Sequence, residues 1–358
     1  MSFGLLLSSV AMVSPQEAME ALDRLIRKCR SFMYKPIQVA ETLRLHREGQ
    51  ITDLLDLESY RVKSRNERDK VTILLYNHVC TSSARFQDDV WNEHAIPPRI
   101  LNQLALLNKD GKIEKYIYEK VYEQFSKTES FRQKIAKAAE TVKERKQSFP
   151  IEEVWTYFDQ PALKKSVDKL FELTIYAIFK CFLDNTPYAL MVKKEKTELF
   201  DEKNKKYYGI LFGIQIPNDV VLLKPSIKRA GVANAADRGL DMWCNFGPAV
   251  QVKHISIQNE VNGKAIIENI LSQLDSDATI VICKDCPSHI NNYLRQEFSS
   301  LKGIITLNEI TYIYYSLCDR SKNNGQDNEE KILNELLRQY DLEFPVASKW
   351  DVIFSRYK

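Results

Sequence analysis

Arg238-Gly-Leu-Asp-Met-Trp-Cys-Asn-Phe-Gly-Pro-Ala-Val-Gln-Val-Lys-His254 is the stretch on which the fold is read. Gly247-Pro248 is a turn signal between two largely apolar runs, 240–246 and 249–257, so the stretch reads as two strands joined tightly. Side chains alternate along a strand. Gln251 and Lys253 therefore project on one side, and Val250 and Val252 point the other way, into a core. Asp241 sits on the first strand, across the turn from Gln251 and Lys253. A lysine beside an acid within an apolar strand is expensive to bury without partners, and a cleft explains the pattern best.

Downstream, 264–274 reads as a helix and 279–283 as a short, continuously apolar strand of the kind covered on both faces. A helix opened by Pro287 follows over 287–298, then a buried strand over 303–307. Upstream, 162–183 is a long amphipathic helix with apolar residues at Leu170, Phe171, Leu173, Ile175, Ile178, Phe179 and Phe182, ending at Asp184-Asn185 ahead of Pro187. Runs 189–192 and 207–216 read as strands, with 193–206 as a hairpin or exposed loop. The first half of the chain is helical. Ser14 is an N-cap and Pro15 a first-turn residue for a helix over 15–28, and 37–46, 71–80, 113–125 and 131–146 follow. Polar 319–331 reads as a loop before a last helix over 330–340. The order gives an α/β protein, a mixed sheet with helices packed on it, preceded by a largely helical N-terminal region. Three parts follow: 1–150, 151–320 and 321–358.

Composition sets limits. The chain has 358 residues, 44% of them hydrophobic, which excludes global disorder. The longest apolar runs fall short of the roughly 20 residues a membrane span needs. No basic residue precedes the apolar stretch 3–13, so it reads as a packed element rather than a signal peptide. The net charge of +3 is compatible with nucleic acid without arguing for it. Between Arg99 and Pro150 basic residues outnumber acidic ones by about 12 to 7, a locally positive helical region. The basic face of the charged helix over 131–146 is either solvated or in contact with phosphates. Seven scattered cysteines suggest no disulfide framework and point to a reducing cytoplasm. Cys283 and Cys286 form one CxxC, with His289 the nearest further ligand. A structural zinc site wants more, so these read as buried or incidental thiols.

Phosphodiester hydrolysis needs an in-line water, neutralisation of charge in the transition state, and help for the leaving oxygen. A carboxylate holding Mg2+ supplies the Lewis acid and orients water. Asp241 suits that ligand, with the Val252 carbonyl and the neutral Gln251 as further oxygen donors. Lys253 would stabilise the developing charge or orient the water. Glu172, on the preceding helix, interrupts an apolar stripe and is either a fourth member of the metal site or a solvated, salt-bridged edge. Asp237 and Glu260 read as loop charges. His254 faces away from Lys253 and reads as a packed histidine before a catalytic base. On spacing alone, a structural salt bridge competes with a nuclease site.

At these residues the sequence resembles the PD-(D/E)XK nuclease superfamily, in the variant with Gln in place of the first acid of the E-x-K pair. Phe171-Glu172, Gly239-Leu-Asp241 and Val250-Gln-Val-Lys253 are similar to its Mrr-like branch. Over most of the chain, Ile96-Pro-Pro-Arg-Ile-Leu-Asn102, Ile113-Glu-Lys-Tyr-Ile-Tyr-Glu119 and Ala236-Asp-Arg-Gly-Leu-Asp-Met-Trp243 resemble the HaeII family of type II restriction endonucleases. The resemblance implies a restriction-endonuclease-like core at 151–320, a helical recognition and dimerisation region at 1–150 and a helical extension at 321–358. It implies Asp241, Glu172, Gln251 and Lys253 as the site, with metal on Asp241, Glu172, Gln251 and Val252. It also implies cleavage of double-stranded DNA at purine-GCGC-pyrimidine, a bacterial cytoplasm and a companion methyltransferase. Gln251 departs from the superfamily pattern and puts a two-metal mechanism in doubt. A palindromic target calls for a homodimer. Arg99, Lys109, Lys112 and Arg229, with Arg238 and His254, are the candidates for contacting DNA, guanines in particular, although each also reads as an ordinary surface or packing residue. Competing readings are a repair or junction-resolving endonuclease, a non-catalytic DNA-binding module, and a thiol oxidoreductase using Cys283 and Cys286.

Overall fold

Ser14 starts the first helix as its sequence requires. Its hydroxyl accepts the Glu17 N–H at 3.1 Å, Pro15 occupies the first turn, and Ala18, Ala21, Leu22, Leu25 and Ile26 are buried on one stripe. In the computed structural model the described residues are 13–29, 33–77, 90–145, 148–160, 166–193, 220–230, 240–274, 276–324 and 327–357. Helix α1 (Pro15–Lys28) is followed by α2 (Tyr34–Arg47) and α3 (Leu57–Tyr76), which begins well before the expected 71 and stops at Asn77 in the left-handed conformation. Then come α4 (Pro98–Leu107) and α5 (Lys112–Arg145).

The separate helices expected at 113–125 and 131–146 are one helix of 34 residues. The connecting residues hold neither Gly nor Pro. The Ser126 and Thr128 hydroxyls bond back to the carbonyls of Glu123 and Phe125, each at 2.9 Å, so polar residues that suggested a break stay inside the helix.

Helices α6 (Glu152–Phe158) and α7 (Val167–Asp184) lead into the strands. β1 (Leu190–Lys193) and β2 (Val220–Leu223) form an antiparallel pair of their own. The strand expected at 207–216 and most of the loop expected at 193–206 lie outside the described residues. The main sheet has the order β3 (Ile227–Arg229), β4 (Met242–Cys244), β5 (Ala249–Val252), β6 (Thr279–Cys283), β7 (Leu301–Thr306). β3–β4–β5 are antiparallel, and β5–β6–β7 are parallel. The expected turn joins β4 to β5, with Gly247 at φ +116°, a backbone state that suits glycine.

Helix α8 (Glu260–Leu271) connects β5 to β6, and α9 (Ser288–Glu297) connects β6 to β7. Both crossovers return the chain to a parallel strand. The chain ends in α10 (Leu307–Asn324), α11 (Asn328–Glu343) and the short α12 (Trp350–Phe354). The loop expected at 319–331 is corrected. Helix α10 continues into it as far as Asn324, and α11 begins at Asn328, within its last residues. The polar composition of 319–331 simulated a loop. Asp327 then caps α11 through the Glu330 N–H at 2.9 Å.

The two faces of the sheet are covered differently. Met242, Val250, Val252 and Ile282 join the large core shared with α1–α7 and α10–α12, and α7 packs on β3 and β5. Val281, Cys283 and Ile304 face a smaller core with Ile267, Ile290 and Leu294 from α8 and α9. Each β6 residue thus alternates between cores, as a strand covered on both faces must. The helical N-terminal part and one sheet face share a single core, which holds α7 beside β3 and β5.

Candidate active site

β4 and β5 pair through Met242↔Val250, and Asp241 stands one residue beyond, opposite Gln251. Its own carbonyl accepts the Ala230 N–H at 2.9 Å, which ties this point to the end of β3. Its Oδ2 accepts the Val252 amide N–H at 2.7 Å and the Gln251 side-chain N–H. Gln251 is 2% exposed, so its burial is made tolerable by this bond. The strand ends at Val252, earlier than the expected 257. Lys253 still donates its backbone N–H to Ile282 at 2.8 Å, and the chain then turns, with Ile255 N–H on the Lys253 carbonyl. Asp241, Gln251 and Lys253 are therefore gathered where β4 begins and β5 finishes.

Both hydrogen bonds to Asp241 come from neutral groups. Burial, and then the charge of Glu172, push its carboxyl up to about 6, against the opposing pull of the Val252 N–H, Lys253 and Lys169. Among the described residues neither Asp241 nor Lys253 forms an ion pair, and Asp241 Oδ1 accepts no hydrogen bond. An acid left half-compensated in this way is a functional-site signature.

Glu172 comes from α7 and is buried. Its Oε2 meets Lys169 Nζ at 2.6 Å and its Oε1 meets Arg229 at 3.1 Å. Arg229, 6% exposed, reaches on to Glu343 of α11 at 2.6 Å. The open choice at Glu172 is resolved in one respect: it is salt-bridged and buried, not a solvated edge. Arg229 is placed in the interior between two carboxylates, so reading a base would require giving up both. Sequence reasoning missed Lys169 and Glu343. The i,i+3 spacing of Lys169 and Glu172 on one helix was a usable signal. Nothing local pointed to Glu343.

The other candidates are dispersed. Arg99, Lys109 and Lys112 are exposed on or beside α4 and the turn into α5, and Arg99 faces Glu93 at 3.2 Å. Arg238 and Asp237 lie outside the described residues, and Glu260 is exposed in the first turn of α8. The His254 ring packs on Phe171 and Phe158, with centroids 5.1 and 5.9 Å away. Burial, then Lys284, hold its pKa down, so it is a neutral packed histidine at neutral pH. Cys283 and Cys286 are buried free thiols pushed up to about 12 and about 11, chiefly by burial. A reactive thiolate needs the opposite shift, and the oxidoreductase reading is set aside. Among the described residues no group of three or more His, Cys, Asp or Glu converges to hold a metal. A cation here would rely on carboxylate, amide and backbone oxygens together with substrate.

A family model described as HaeII restriction endonuclease matches residues 18–356. This chain belongs to the HaeII restriction endonuclease family. The type II restriction enzyme HaeII of Haemophilus aegyptius is 34% identical over 340 residues, 93% of each chain. The type II restriction enzyme NgoBI of Neisseria gonorrhoeae is 33% identical over 331 residues, 91% of each. No solved structure matches. The five-stranded mixed sheet flanked by helices is a restriction-endonuclease-like core. Among the described residues no helix is long and apolar enough to cross a membrane.

Proposed function

We propose that this chain is a type II restriction endonuclease that hydrolyses double-stranded DNA at a short palindrome, purine-GCGC-pyrimidine, with Mg2+ as cofactor. The observation that carries the reading is Asp241: a half-buried carboxylate held, among the described residues, by neutral N–H groups at a strand junction, with Lys253 beside it.

The donor set fits a hard divalent cation. Its oxygens are those such ions take, and a cation held by the Asp241 carboxylate would relieve both the burial of the charge and its repulsion by Glu172. Asp241 would be the principal ligand, with the Val252 carbonyl as a backbone oxygen and Glu172 as a further carboxylate once freed of Lys169. Gln251 gives its N–H to Asp241; as a ligand it would turn its amide over to present oxygen. When bound, the metal supplies Lewis acidity at the phosphate and lowers the pKa of a water.

The protein's own groups do the rest. The Val252 and Gln251 N–H donors fix the Asp241 carboxylate in orientation. Lys253, just past the end of β5 and with no ion pair among the described residues, offers its ammonium to the charge that grows on the phosphate. His254 stays neutral and packs beneath α7. Region 1–150 serves recognition and dimerisation, 151–320 is the nuclease core, and 321–358 braces it. A homodimer places one site on each strand of the palindrome. Arg99, Lys109 and Lys112 contact DNA from the basic helical region. A companion methyltransferase protects the host genome in the same bacterial cytoplasm.

Purified protein with plasmid DNA and Mg2+ tests this, beside Asp241→Ala and Lys253→Ala. Discrete fragments that require metal and vanish in both variants are expected, and their ends define the target. Random nicks, or cutting that survives Asp241→Ala, would reject the reading.

A further inference from the structure

Among the described residues Glu172 is the carboxylate that acts on Asp241, and neither of its oxygens is free. Arg229 takes Oε1 and Lys169 takes Oε2. The buried row runs Glu343, Arg229, Glu172, Lys169, with charges that alternate and cancel. Three of its members are closed off, with side chains 0%, 6% and 8% exposed. Lys169, at 21%, is the end that meets solvent.

The Lys169–Glu172 contact differs from an ordinary i,i+3 surface pair in two ways. One partner is buried and fixed from behind by an arginine that is itself anchored. The ammonium also lies close enough to Asp241 to oppose the rise in its pKa. Arg229 has no such freedom to leave, because Glu343 holds its other nitrogen inside the core.

We propose that Lys169 is a second catalytic lysine of this site. It occupies the oxygen of Glu172 that a divalent cation would use. On yielding it, Lys169 turns its ammonium to a non-bridging oxygen of the scissile phosphate. The inference rests on the nuclease reading. It adds a cation from α7 to the one that Lys253 brings from β5, so the phosphate is met from both sides of the β4–β5 junction. Chemistry supports the exchange. A lysine ammonium is a compact point charge on a flexible stem, suited to moving between two anions. A buried carboxylate deprived of one cation requires another. With Gln251 in place of a second acid on β5, a mobile lysine also offsets a charge the site lacks ligands to bind as metal.

The test uses Lys169→Met and Lys169→Arg in the full chain. Direct Mn2+ binding is measured by calorimetry without DNA, and single-turnover cleavage at saturating DNA with Mg2+. Lys169→Met is expected to bind Mn2+ about three- to tenfold more tightly, since the competitor for Glu172 is gone. The same variant is expected to cut on the order of a hundredfold more slowly, since a transition-state contact is lost. Lys169→Arg keeps the charge and is expected to recover most of the rate. Unchanged or weaker Mn2+ binding by Lys169→Met overturns the competition, and an unchanged cleavage rate overturns the phosphate contact. If wild type and Asp241→Ala cut alike, the nuclease assignment itself has failed, whichever way Lys169 behaves.

Discussion

Glu41 and Asp241 are both carboxylates inside this protein, and they are treated in opposite ways. Glu41, on α2, is 1% exposed on its side chain and fully compensated. Its Oε2 meets Arg44 at 2.9 Å, and its Oε1 meets the Tyr118 hydroxyl at 2.6 Å and Arg356 at 2.9 Å. Among the described residues Asp241 receives two neutral N–H bonds, no ion pair, and the repulsion of Glu172. One acid is satisfied by the fold and joins α2 and α5 to the C-terminus. The other is left wanting a positive charge, which is what a site that takes up metal and phosphate requires. On the proposed reading it is not burial that distinguishes the two acids but the lack, among the described residues, of an ion pair at Asp241.

The comparison breaks most sharply on activity. Asp241→Ala is expected to abolish cleavage, by at least about a thousandfold, in plasmid digestion with Mg2+. Lys253→Ala is expected to lower the single-turnover rate by roughly a hundred- to a thousandfold with little change in DNA affinity, measured by filter binding in Ca2+. Glu41→Ala attacks the other acid. It takes one of three carboxylates from Arg44, leaves Arg356 and the buried Tyr118 hydroxyl without this acceptor, and is expected to remove about 1–3 kcal/mol of stability in urea titration. The folded fraction keeps its turnover. Smallest of all, Cys286→Ser is expected to leave cleavage within about twofold, since its thiol is buried and far from ionising. A large loss there would return the CxxC to the chemistry.

Much of this was legible in sequence. The turn at Gly247-Pro248, the alternation through Val250, Gln251, Val252 and Lys253, and the apolar run of β6 each fix a local geometry that tertiary structure left unchanged. The trio of Asp241, Gln251 and Lys253 followed, because strand period and turn length place those residues together. The failures share a cause. Helix α10 and the continuous α5 contain polar residues whose hydroxyls or exposed faces are compatible with helix, and composition alone suggests a loop. Strand length at β5 was overread because Ile255 and Ile257 continue the apolar pattern after the backbone has turned. The partners of Glu172 were invisible for another reason. Glu343 lies 171 positions away in the chain, and no local periodicity encodes such a contact.

The raised carboxyl of Asp241 makes a further statement about stability. Its folded value of about 6 exceeds the ordinary 3.8. The fold is therefore unburdened by this group below about pH 4. It loses up to roughly 2–3 kcal/mol as pH rises through about 6, where the native carboxyl must ionise. Asp241→Asn removes that burden.

Thermal unfolding of wild type and Asp241→Asn at about pH 8, in EDTA and in millimolar Mg2+, reads the central claim directly. The account predicts that wild type melts below the variant in EDTA and rises toward it in Mg2+, while the variant barely moves. Equal responses of the two proteins to Mg2+, or a wild type indifferent to it, would contradict Asp241 as the carboxylate that waits for a cation.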